Sequence, residues 1–122
     1  MATLEEWAEF FSGDYIGRFR VPPGDWEDLI GIVRLRCSPG EGEVLQVSIE
    51  SAELSGWTGA IDIKEMVLTI FSGKPEELFR CVFRKAPSGS GGDFFGEYRQ
   101  DYPGPPMTEM SLTMKRPAPP PA

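Results

Sequence analysis

Apolar and polar residues alternate in short runs from residue 13 to residue 116. Period-two alternation places successive side chains on opposite faces of a strand with one face buried. Several runs carry a glycine near the middle: Tyr15-Ile16-Gly17-Arg18-Phe19, Leu29-Ile30-Gly31-Ile32-Val33, Trp57-Thr58-Gly59-Ala60-Ile61 and Phe95-Gly96-Glu97-Tyr98. A glycine inside a strand marks a bend, a bulge or a close approach by a ligand or another backbone.

The first element is of another kind. Residues 3–11 read as a short amphipathic helix, with Thr3 and Glu6 spaced as a capping box and Leu4, Trp7, Ala8 and Phe11 on one face. It is expected to plug the sheet, or else to bind a partner through an exposed Trp7. The strands are expected near 14–21, 29–37, 44–51, 56–63, 66–71, 78–85, 94–100 and 107–115.

In the first strand Tyr15, Gly17, Phe19 and Val21 face inward, with Arg18 and Arg20 outward. In the second, Leu29, Gly31, Val33, Leu35 and Cys37 face inward, with Arg34 and Arg36 outward. Leu45, Val47 and Ile49 point in from the third, and Trp57, Gly59, Ile61 and Ile63 from the fourth. A tight turn at Asp62-Ile63-Lys64-Glu65 leads to 66–71, which is apolar on both faces; that implies double burial, under the helix or at an interface. Phe79, Cys81 and Phe83 point in from the sixth strand, and Met110, Leu112 and Met114 from the eighth. The seventh has two facings, Phe94, Gly96 and Tyr98 inward or Phe95, Glu97 and Arg99 inward; the first is favoured because burying a charge pair is costly.

About eight strands with short connections pair as a meander. The expected fold is all-β: an eight-stranded antiparallel barrel with an N-terminal helix, its interior filled or holding one small ligand. A β-sandwich shares the pattern but usually has longer crossovers. Residues 1–116 form one domain, and the proline-rich tail 117–122 is expected to be disordered.

Composition narrows the functional classes. The 122 residues carry a formal net charge of −7, which disfavours nucleic acid and anionic membranes. No apolar run is long enough to span a bilayer, and the acidic N-terminus is not a signal peptide, so a cytoplasmic protein is expected. The 14 Gly and 12 Pro fit turn-rich β architecture. Histidine is absent, which removes the commonest general base and metal ligand. Two cysteines cannot supply a four-ligand zinc site. No nucleophile–base pair and no phosphate-cradling glycine motif is present, so catalysis is disfavoured and no cofactor or metal is expected.

The chain resembles the calycin superfamily of lipocalins and fatty-acid-binding proteins. The residues that carry the resemblance are the short helix leading into Gly13-Asp14-Tyr15, where lipocalins have Gly-x-Trp, and Lys115-Arg116 at the end of the last strand, where they place a basic residue. Phe10-Phe11-Ser12-Gly13 followed by an arginine-rich strand is also similar to the lipocalin-like bilin lyases. The resemblance implies a pocket for a small apolar or amphipathic ligand. Its expected lining is Tyr15, Phe19, Val33, Trp57, Phe79, Phe83 and Tyr98, with Trp26 at the entrance on a lid-like loop.

Other readings stay open. The same side chains could fill the core, leaving an interaction or assembly module that works from its outer face or its proline-rich tail. Arg18, Arg20, Arg34 and Arg36 are expected on one outer face, either paired across strands with Asp14 or Glu50 or free to bind an acidic protein partner or anion. Cys37 and Cys81 are expected inward as free thiols, with a disulfide or a thioether attachment to a bilin as alternatives.

Overall fold

The computed structural model describes residues 2–20, 24–28, 31–52, 54–72, 78–85, 92–99, 108–115 and 121; for residues 78, 85, 97–99 and 108 the description covers the backbone alone. The loops 73–77, 86–91 and 100–107 and most of the tail expected beyond residue 116 lie outside the described residues.

The helix α1 spans Leu4–Phe11. Both halves of its capping box form: the Glu6 amide donates to Thr3 Oγ1 at 3.2 Å and the Thr3 amide donates to Glu6 Oε1 at 3.1 Å. Ala8 and Phe11 are buried, while Leu4, Trp7 and Phe10 pack half-buried against the core.

Nine strand segments follow: β1 Gly13–Arg20, β2 Glu27–Asp28, β3 Val33–Pro39, β4 Val44–Glu50, β5 Thr58–Asp62, β6 Val67–Phe71, β7 Leu78–Lys85, β8 Gly92–Arg99 and β9 Thr108–Met114. Each long strand pairs antiparallel with its neighbour, and β9 returns to pair with β1 from Tyr15↔Met114 to Arg20↔Glu109. The protein is therefore a closed eight-stranded antiparallel meander barrel with one short helix, as the alternation predicts. Closure removes the free sheet edges at which another chain could pair.

The second stave departs from expectation. A continuous strand over 29–37 is replaced by two segments, β2 and β3. Between the pairs Tyr15↔Val33 and Arg18↔Asp28, β1 advances three residues while the opposite chain covers five. The excess backbone leaves the ladder around Gly31, which has φ +76°, a left-handed conformation that glycine adopts without steric cost. Gly31 is exposed rather than inward, and Leu29 lies outside the described residues.

Elsewhere the inward facings hold among the described residues; Val21 lies outside them. Leu35, Leu45, Val47, Ile49, Ile61, Leu68, Ile70, Cys81, Phe94 and Leu112 form one contiguous core. Phe94 and Gly96 point in on β8, which selects the favoured facing of that strand. Gly96 is a close approach: a Cβ there would collide with the Arg80 carbonyl and with Cys81 Cα on β7.

The apolar run 66–71 is not sandwiched beneath the helix. The helix lies chiefly against β3 and β4. On β6, Leu68 and Ile70 enter the core, while Val67 and Phe71 belong to the other face, where Val67 is buried and Phe71 stays exposed. At the start of β6 the expected turn forms: Asp62 Oδ1 accepts from the amides of Lys64 at 2.9 Å and Glu65 at 3.2 Å.

Candidate functional site

The meander sets two rims. One carries α1, the β3–β4 and β5–β6 turns and the end of β9. The other carries the ends of β1 and β4 and the starts of β5 and β7. The residues expected to line a pocket divide between these rims and the outer wall.

At the helix rim the interior is packed with rings. Phe11 lies 5.0 Å from Phe83 and 5.4 Å from Phe94 between centroids, and Phe83 lies 5.2 Å from Phe94. Such spacings and tilts are those of favourable aromatic pairs. Tyr15 joins this cluster at 6.2 Å from Phe94, and its hydroxyl donates a 2.7 Å hydrogen bond to the Phe11 carbonyl. That bond satisfies one of the carbonyls a helix leaves unpaired at its C-terminus. Tyr15 and Phe83 thus seal the helix rim instead of lining open space. Burial pushes the Tyr15 phenol far above its ordinary range, and the nearby Cys37 adds to the shift, so the group stays a neutral donor.

At the opposite rim, the ring pair Trp57 and Phe79 stands with centroids 5.9 Å apart. Phe79 is buried, whereas Trp57 and Phe19 are half-buried although both face inward. Val33 is fully buried, opposite Tyr15 in the ladder, and Leu54 is buried from the β4–β5 connection, where the Trp57 amide donates to its carbonyl at 3.1 Å. Tyr98 is placed by backbone opposite Phe79, and its side chain lies outside the described residues. No polar or charged side chain is buried among the described residues, so the interior that they form is apolar.

Trp26 does not stand at the entrance. Its ring lies 6.0 Å from Phe95, which points outward from β8, and the Arg20 guanidinium sits 5.1 Å over it. The indole therefore lies on the outside of the wall, over β9. Arg84 continues the stack, 4.7 Å over the Phe95 ring. The physical reason is the broken second stave: β2 pairs with the end of β1, which holds the 24–28 segment against the outer wall rather than across the opening.

The four arginines do not form one patch. Arg34 and Arg36 sit beside the start of β1, and Arg18 and Arg20 lie toward its far end. Arg34 Nε is 2.8 Å from Asp14 and Arg36 Nε is 2.9 Å from Glu50, the cross-strand pairing expected from the sequence. Arg18 Nε is 3.0 Å from Asp28, and Arg20 Nη2 is 3.1 Å from Glu109. The Arg34 hydrogen bond holds the Asp14 carboxyl below its usual range. Each guanidinium already has a carboxylate, and exposed pairs of this kind add little to stability.

The cysteines are free thiols. Burial pushes Cys81 up to about 12 and Cys37 up to about 11, a direction opposite to that of a reactive thiolate. The Cys37 backbone is tied to Ser12, whose Oγ accepts from the Cys37 amide at 2.9 Å. Sequence reasoning missed Ser12 as the bolt between α1 and β3, because a lone serine after a helix carries no signal of a partner 25 residues away.

Among the described residues, no cluster of three or more acidic or thiol side chains could hold a metal, and no helix is long and apolar enough to cross a membrane. An outer groove of about 690 Å³ crosses β3 to β6, lined by residues that include Ser38, Gln46, Ser48, Thr58 and Phe71.

No family model matches this chain, and no curated protein does.

Proposed function

We propose that the protein is a calycin-like carrier that binds a small apolar or amphipathic ligand without catalysis, in the half of the barrel away from the helix. The observation that carries this reading is the Trp57–Phe79 pair at that rim, facing inward with Trp57 only half-buried. The closed eight-stranded meander supports it, because a barrel of that size holds either its own side chains or one small ligand. The aromatic packing at the helix rim confines the ligand to the other half, which favours a small one. The absence of buried polar side chains among the described residues favours an apolar body, with any polar group left at the rim.

The test combines two measurements on gently purified protein. Native mass spectrometry reports a retained ligand. Titration with an environment-sensitive hydrophobic dye reports binding, and Trp57→Ala is expected to weaken it while Phe95→Ala on the outer wall leaves it unchanged. An apo mass together with no dye uptake removes the reading.

A second reading is favoured by one observation. The exposed Trp26 on the outer wall is the kind of aromatic anchor that protein interaction surfaces use. In that reading the barrel is a filled scaffold, and the outer face or the proline-rich tail carries the function.

A further inference from the structure

We propose that the groove on the outside of β3–β6 binds a neutral saccharide. This inference is independent of the ligand reading, since it concerns the outer face of strands whose inner face belongs to the core.

The register builds the floor of the groove from two rungs of outward side chains. Ser38, Gln46 and Ala60 lie side by side on β3, β4 and β5, and Ser48, Thr58 and Phe71 on β4, β5 and β6. All six line the groove of about 690 Å³. Each rung spans about 10 Å and the two lie about 7 Å apart, room for one or two pyranose rings. The methyl group of Ala60 leaves the floor low beside the longer Gln46 chain. The β3–β4 turn forms the wall at one end, closed by the Gly40 amide donating to the Val44 carbonyl at 2.8 Å. A Cβ at Gly40 would come within 3.2 Å of Gln46 Cγ, so the bare glycine lets the glutamine stem lie against the turn.

The chemistry of the floor sets it apart from the rest of the wall. Charged residues make up 25% of the chain, yet none of these six is charged. The outward positions of β1, β3 and β7 carry arginines instead, at Arg18, Arg20, Arg34, Arg36, Arg80 and Arg84. The groove offers three hydroxyls and one amide, each both donor and acceptor. Among the described residues, none of these four side chains makes a hydrogen bond, and all four are exposed. The Phe71 side chain is also exposed, and its ring has no aromatic partner among the described residues. Glu41, on the β3–β4 turn, is the one charged residue in the lining.

A saccharide matches each of these features. Its hydroxyls exchange hydrogen bonds with the amide and hydroxyls, and the C–H face of its ring packs on Phe71. A pair of its hydroxyls can donate to the Glu41 carboxylate, which an anionic ligand would meet as repulsion. A peptide fits less well. Closure leaves no edge for strand addition, the floor is too polar for an amphipathic helix, one ring is too few for a proline-rich segment, and no arginine in the lining awaits a phosphate.

The experiment titrates the full chain with maltose, cellobiose and lactose separately, followed by amide nitrogen-15 NMR. Saturable shifts at Gln46, Thr58 and Phe71 with at least one of them are expected, and none with digalacturonic acid. Gln46→Ala and Phe71→Ala, both at exposed positions, are each expected to weaken that binding about tenfold. Ile16→Ala, on the outer face of β1, is expected to leave it unchanged. No saturable shift with any of the three sugars, or an equal response to the acidic disaccharide, overturns the proposal. Shifts centred on Trp57 overturn the groove and assign the sugar to the barrel interior. A response to the capped peptide Ser-Thr-Gly-Ser-Thr in place of the sugars overturns the saccharide and assigns the face to a protein partner.

Discussion

The Tyr15 hydroxyl and the Phe11 carbonyl meet at 2.7 Å inside the barrel, tying the first strand to the end of the helix. A tyrosine four residues beyond the helix end thereby does two things at once: its ring fills the aromatic cluster and its hydroxyl closes a buried acceptor. Tyr15→Phe keeps the ring and removes the donor. The expected loss is about 1–3 kcal/mol, the cost of leaving a buried acceptor unpaired. Urea denaturation checks it, with a lower midpoint and an unchanged m-value.

Gly96 allows β8 to lie against β7 with no room for a side chain. Since a Cβ would strike backbone atoms of Arg80 and Cys81, no rotamer change relieves the clash. Gly96→Ala is expected to cost more than about 3 kcal/mol, at the far end of point-mutant effects. Gly31→Ala puts strain on a left-handed residue in open space and is expected to cost about 1–2 kcal/mol. Thermal unfolding of the two variants ranks them, and an equal loss would contradict the packing described for Gly96.

The aromatic residues should separate by rim. Phe94→Ala, at a fully buried ring touching Phe11, Tyr15 and Phe83, is expected to destabilise by about 3–5 kcal/mol. Trp26→Ala removes an exposed ring stacked on one arginine and is expected to cost about 0.5–1 kcal/mol. Chemical denaturation of the two variants distinguishes a core residue from a wall residue.

The two inward thiols, Cys81 buried and Cys37 half-buried, predict an alkaline limit. Each folded thiol keeps its proton above the ordinary value of 9.0, Cys37 to about 11 and Cys81 to about 12. Between those values the native state binds more protons than the unfolded chain, so stability falls as pH rises. Below about pH 9 the thiols contribute no pH dependence. Cys81→Ala is expected to flatten the alkaline fall, which denaturation midpoints measured at a series of pH values report.

At acid pH the exposed pair Asp14–Arg34 works in the other direction. Its carboxyl titrates below the ordinary 3.8 in the folded protein. Its contribution is therefore present above that value and is lost as pH falls through the lower folded one. Asp14→Asn is expected to reduce the acid dependence of the midpoint while leaving the alkaline side unchanged.

Much of the barrel was legible because each strand announces its own faces. Tyr15, Leu35, Leu45, Val47, Ile61, Phe79, Cys81, Phe94 and Leu112 are inward in the structure as their alternation requires, and Thr3 with Glu6 marked the helix start. The site was less legible. Tyr15, Phe83 and Trp57 share a face by periodicity, yet two of them belong to a sealed rim and one to the other end. Period two identifies a side of the sheet, not a position along the barrel axis.

Local periodicity alone determined which residues face the core, the number of staves and the capped helix, because each follows from backbone geometry over a few residues. Only the tertiary structure decided where Trp26 lies and how the arginines divide. Both depend on the two-residue excess between Asp28 and Val33 and on the closure of β9 against β1. A register shift of that kind arises from the sum of long-range pairings, and no window of sequence contains it.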